Sequence, residues 1–244
     1  MEEPHFDKLI FEDPEEKDTF HHLIALGEKS NRVLKHLKLD LGDWFTDDLL
    51  TIEKGYEKVK YLLVIADDSV DISNLPEEYS GDKMLRENIF VFDIGAKPAP
   101  NKWEGVFSYL WVPSKNQYTT LKNLFQLYYH DVLSSNGLVC FDYNDWKISV
   151  RGRNELSICK IKIDSDLRRR IKRIPRKFLL NGKNVLIIGS HSIKGNFLAK
   201  VMKPLNKLDD ILDLYTETHL AILARELPKS ESYVAMLHFE PLKF

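Results

Sequence analysis

The chain has 244 residues, 43 % of them apolar, which suffices for one compact domain or two small ones that share a core. Charged residues reach 30 % but nearly cancel to a net charge of −2, which excludes any global electrostatic case for binding nucleic acid or a membrane surface. No apolar run approaches the roughly 18 residues needed to span a bilayer.

The acidic start, MEEPHFDKLIFEDPEEKD, does not have the form of a signal peptide, and residues 1–19 read as an acidic tail or an early edge element. Phe20 to Leu26 (FHHLIAL) then reads as a short strand. Gly27 breaks it, and Ser30-Asn31 is expected to cap a helix that runs to about Lys38. Val59 to Ala66, Asn88 to Ile94 and Phe107 to Val112 are near-continuous apolar runs, the pattern of strands buried on both faces. Leu121, Leu124, Phe125, Tyr128 and Val132 recur at helical spacing and predict an amphipathic helix over 119–134.

The second half has a different rhythm. Cys159, Ile161 and Ile163 alternate with Lys160 and Lys162, as in a half-exposed strand. In Arg168 to Lys177 seven of ten residues are basic, which reads as a solvated helix face or linker, with an acidic protein partner as the next reading. Asn184 to Gly189 predicts a buried strand, and a helix follows through Phe197, Val201, Leu205, Leu208 and Leu212, interrupted by Pro204. His219 to Ala224 and Ser232 to Phe239 are further strands on either side of the polar turn ELPKSE. The fold class expected is α/β: a Rossmann-like, mainly parallel sheet domain over 20–136, a linking stretch 137–147, and a smaller α+β domain over 148–244.

Several polar clusters invite a chemical reading and are outweighed by plainer ones. Asp67, Asp68 and Asp71 suggest a hard cation, but they lack calcium-loop spacing and read as a solvated strand-end loop. Gly189 to Gly195 lacks the spacing of known phosphate loops and reads as a turn. His21-His22 has no third ligand at zinc spacing. Cys140 and Cys159 form neither a CxxC pair nor a metal pattern. They read as buried small hydrophobes in a reduced, cytoplasmic protein.

The stretch Gly137 to Lys147, GLVCFDYNDWK, resembles a loop of the FtsZ/tubulin family that typically reads GLINxDFADVK. Gly137, Leu138, Asp142, Asp145 and Lys147 match it, while Cys140, Asn144 and Trp146 depart from it. FSYLWVPSKNQ, NVLIIGS and the closing strand pair are similar to the family's DTLIVIPNDRL, GVLxNITG and final strands. The resemblance implies a nucleotide domain, a connecting helix and a smaller second domain. It also implies that Asp142 and Asp145 act in trans, polarising water on a neighbouring subunit's GTP.

The nucleotide side departs from the family. Where the family has IGVGGGGNNAV, this chain has IALGEKSNRV, keeping Gly27 and Asn31 but placing Glu28 and Lys29 where glycines let backbone N–H groups close around phosphate. Where AGMGGGTGTG is expected after Ala66, the chain reads DDSVDIS. Two like charges at about 4 Å cost about 1 kcal/mol even in bulk water, so these acids oppose a polyphosphate. The expectation is a protein that has lost GTP binding, has no cofactor, and works through protein contact with an FtsZ/tubulin-like subunit or with itself. Two alternatives stand beside it: a GTPase whose rebuilt pocket uses GTP and magnesium, and an unrelated α/β enzyme using Asp67, Asp68 or Asp71 at its strand ends.

Overall fold

The structure, a computed structural model, describes residues 20–41, 59–75, 88–127, 137–139, 143–174, 178, 182–190, 203, 216–224 and 232–243. The acidic segment 1–19, Cys140, Asp142, nearly all of the helix expected over 197–212 and the side chains of His21 and His22 lie outside these residues. The chain divides into two units, one of residues 1–122 with 150–155, the other of 123–149 with 156–244.

The first unit is a parallel sheet. Strand β1 (Phe20–Leu26) pairs with β2 (Val59–Ala66), β2 with β3 (Ile89–Asp93), and β3 with β4 (Ser108–Trp111). The first four residues of β6 (Gly152–Lys162) add to β4 in the same sense. The apolar runs predicted this: Leu62 to Ala66 and Ile89 to Phe92 are buried throughout, as parallel strands covered on both faces require. Helix α1 (Glu28–Leu41) buries Leu34 and Leu37 and exposes Lys35, Lys38 and Leu39. It begins at Glu28, two residues before the expected Ser30-Asn31 cap. Helix α2 (Gln117–Phe125) buries Leu121, Leu124 and Phe125 at the predicted spacing.

The second unit is a mixed sheet. Strand β7 (Gly182–Ser190) pairs in parallel with β8 (Thr216–Ala224) and antiparallel with β9 (Tyr233–Pro241). The last two strands, consecutive in sequence, therefore flank β7 instead of forming a hairpin. Parallel neighbours need a long crossover, and the stretch 191–215, where the sequence expects a helix, supplies the length for it. Within 137–147, read from sequence as a linking loop, the chain forms strand β5 (Gly137–Val139), antiparallel to β8, and the start of helix α3 (Tyr143–Val150). The basic run opens as helix α4 (Leu167–Ile171). Its apolar side, Leu167, Ile171 and Ile174, packs with Phe178 against Ile161, Leu186, Ile188, Val234 and Met236 in the core of this unit.

Candidate functional site

Functional groups of parallel α/β sheets gather where the strands end in carboxyl direction, and the polar residues of the first unit concentrate there. Strand β1 is followed by Gly27, whose φ of 93° is a left-handed conformation that favours glycine. The turn throws the chain directly into α1. Asp67 and Asp68 directly follow β2, and β3 ends in Asp93.

The Asp67 carboxylate sits on the N-terminus of α1. Its Oδ2 accepts from the backbone N–H of Lys29 at 2.9 Å and of Ser30 at 3.2 Å. Its Oδ1 accepts from the N–H of Ser69 at 3.0 Å and the Ser69 hydroxyl at 2.5 Å. A side chain at Gly27 would collide with this same carboxylate. The helix thus receives its cap from a residue 38 positions downstream of Lys29, not from Ser30 or Asn31. Burial works to raise the Asp67 pKa, but the hydrogen bonds from Ser69, Ser30 and Lys29 outweigh it and hold the group below the ordinary carboxylate value. Asp67 is 7 % exposed, so the solvated reading of this acid is overturned.

The other members of the expected nucleotide turn also point inward or pair locally. Asn31 Nδ2 donates to the Gly27 carbonyl at 2.7 Å, alongside the Asn31 N–H at 3.0 Å. Glu28 pairs with Arg32 one turn along. Lys29 Nζ donates to the Ile94 carbonyl at 2.5 Å. Ser30 is fully buried, and its hydroxyl has no hydrogen-bond partner among the described residues.

The acids that the sequence grouped together have separate tasks. Both oxygens of Asp68 accept from the Ala96 N–H at 3.0 Å, and the Asp68 carbonyl accepts from Lys102 Nζ at 2.6 Å. Asp71 caps the short turn Ile72–Asn74 by accepting from the Ser73 N–H at 2.8 Å. Among the described residues, no group of three or more His, Cys, Asp or Glu is arranged to hold a metal ion.

Sequence reasoning missed Asp93 and its partners. Asp93, 3 % exposed, accepts from the Tyr109 hydroxyl and from the Gly95 N–H at 2.6 Å, and the Tyr109 oxygen accepts from Ala99 N–H at 2.7 Å. Burial pushes the Asp93 carboxyl above its usual range, and the charge of Asp68 pushes the same way. Gln117 donates to the carbonyls of Ile94 and Val112, and Trp111 donates to that of Gly95. The segment 94–99 is therefore pinned by side chains from α1, β3, β4 and α2. An acid closing the apolar run IFVFD was the available signal for Asp93.

Of the acids in the 137–147 stretch, Asp145 lies half-exposed in the first turn of α3, in the second unit. Its carbonyl accepts from the Ser149 hydroxyl at 2.8 Å. Trp146 beside it is buried and packs edge-on against Phe239 with ring centroids 6.0 Å apart. Cys159 is half-buried, and burial raises its thiol pKa.

No protein-family model matches the chain, and no curated protein matches it. Among solved structures, a mutant FtsZ from M. jannaschii is similar over 88 % of this chain and 71 % of its own, with TM-score 0.46 and 9 % identity. An empty FtsZ dimer from the same organism is similar over 87 % and 68 %, with TM-score 0.46 and 9 % identity. TubZ from Bacillus thuringiensis serovar israelensis, in GDP-form protofilaments, is similar over 92 % of this chain, with TM-score 0.41 and 15 % identity. The chain covers 64 % of that TubZ, less than two thirds of its length.

Proposed function

We propose that this chain is a divergent FtsZ/tubulin-like protein that has given up GTP binding and acts through protein–protein contact, with a filament-forming relative or a second copy of itself. The observation that carries this reading is the Asp67 carboxylate on the N-terminus of α1. A helix N-terminus offers free N–H groups and partial positive charge to an anion. Here the chain's own carboxylate takes that place, so a phosphate would have to displace it and meet its charge. The residues of GLVCFDYNDWK support the kinship. In this reading Asp142 and Asp145 serve a neighbour's nucleotide, and Gly27 and Asn31 are remnants of a phosphate turn.

The test is thermal unfolding of the purified protein with and without GTP and magnesium. A ligand present at 100 times its Kd stabilises by about 2.7 kcal/mol. No shift is expected at millimolar GTP, and a shift of that size overturns the reading. The competing reading, a GTPase with a rebuilt magnesium-dependent pocket, would instead show GTP hydrolysis by the isolated protein that Asp142→Ala and Asp145→Ala abolish. The role in trans predicts a different pattern: these variants lose any stimulation of a partner's hydrolysis while partner binding persists.

A further inference from the structure

The segment 95–99, which leads out of β3, hangs on one small acidic cluster of the first unit. The Gly95 N–H donates to Asp93 Oδ1 at 2.6 Å, the Ala96 N–H to both oxygens of Asp68 at 3.0 Å, and the Ala99 N–H to the Tyr109 oxygen at 2.7 Å. Tyr109 in turn donates to Asp93 Oδ2. The two carboxyl groups crowd each other. A methyl carbon on Gly95 would lie 2.2 Å from Asp68 Oδ1 and 2.8 Å from Asp93 Oδ1, so these oxygens are within about 5 Å of each other. Asp93 and Tyr109 are buried, whereas Asp68, Ala96 and Lys97 are exposed. Both ends of the segment are fixed. The Ile94 N–H pairs with the Ala66 carbonyl at 2.8 Å, and Pro100 and Trp103 are buried in a short turn.

Like charges this close, one of them held out of water, oppose a second ionisation. The charged groups of the neighbouring elements are directed elsewhere. Lys29 of α1 donates to the Ile94 carbonyl, Lys102 donates to the Asp68 carbonyl, and Asp67 holds the N-terminus of α1. From β4 and α2, Trp111 and Gln117 bring hydrogen bonds without charge. We infer that Asp93 and Asp68 form a pH-sensitive latch on segment 95–99, closed while the two carboxyl groups carry one charge and released when both ionise. To reach water as a carboxylate, Asp93 needs the segment to lift between Ile94 and Pro100, which bares Asp93 and Tyr109 at the strand ends. This goes beyond the proposed function and holds whether or not the protein binds GTP.

The test is amide hydrogen exchange on the full chain from about pH 4 to about pH 8, corrected for the intrinsic pH dependence of exchange. Protection at Gly95, Ala96 and Ala99 should fall by up to about tenfold per pH unit above the ordinary carboxyl range, because opening is then linked to the loss of one proton. The Ile94 and Val112 N–H groups, bonded to the Ala66 and Asp93 carbonyls at 2.8 Å, should not share the fall. Asp93→Asn cannot ionise and should abolish the pH dependence. Asp68→Asn keeps the shape and removes the neighbouring charge, so it should shrink the fall. Flat protection in the unaltered protein, a fall that Ile94 and Val112 share in full, or an unaltered profile in either variant overturns the latch. Should Asp93→Asn fail to fold, the exposed substitution Asp68→Asn decides alone.

Discussion

At the scale of single residues, two aspartates at adjacent strand ends have opposite relations to their surroundings. Asp67 is ionised and useful, because four hydrogen bonds reward its charge. Gly27 leaves room for it. Gly27→Ala would press a methyl group into that carboxylate and force a left-handed φ on alanine. The expected cost is about 1–3 kcal/mol in urea unfolding, and a neutral effect would show that Asp67 does not hold the turn. Asp93 is instead buried with its pKa raised by desolvation. A carboxyl with a raised folded-state pKa contributes stability below the usual value of 3.8, lost as pH climbs through the raised one. Asp67, with its pKa lowered, contributes stability above 3.8 that is lost as pH falls through its lowered value. Asp93→Asn should therefore remove a decline in stability between acid and neutral pH. The wild-type-minus-variant difference, followed by urea unfolding across that range, should fall with rising pH, and a flat difference would refute this role.

At the scale of elements, the strands were legible and the connections were not. Runs such as VKYLLVIA announce a strand buried on both faces, because no other short element needs apolar side chains on every position. The start of α1 was misread because its cap comes from Asp67, outside any local window, and Ser30 and Asn31 resemble a cap that the helix does not use. The 143–150 helix was hidden by short length and mixed polarity. The apolar side of the basic run went unread in favour of a solvated face or linker, although Leu167, Ile171, Ile174 and Phe178 recur at helical spacing among the cations. The pairing of β7 with both β8 and β9 was not, because local sequence does not specify which strands become neighbours. That pairing has a tight point. Gly189 faces Tyr233 across the ladder, and a Cβ at 189 would lie 2.5 Å from the tyrosine ring. Gly189→Ala is expected to destabilise by about 1–3 kcal/mol. Tyr233→Leu should recover part of that loss in a double-mutant cycle, whereas strict additivity would show that the register here is different.

At the scale of the whole molecule, the candidate site was legible only in outline. Glu28 and Asp67 stand where the resemblance expects glycines, but no local pattern shows that the Asp67 carboxylate occupies the helix end itself. The chain runs through the first unit to residue 122, through the second to 149, back for 150–155, and out again. Strand β6 thus begins against β4 at Gly152–Glu155 and continues in the other unit. A fragment of residues 1–148 would lack the final strand of the parallel sheet, and one of 148–244 would lack β5 and most of α3. Neither fragment should give a sharp unfolding transition alone, and mixing them should restore one. A sharp transition from either fragment by itself would refute this. The interleaving has an evolutionary consequence as well. No single crossover point cleanly separates one unit from the other, so the units cannot be exchanged between relatives by one simple gene fusion. They must be inherited together, so the turn after β1 can diverge only within the whole fold.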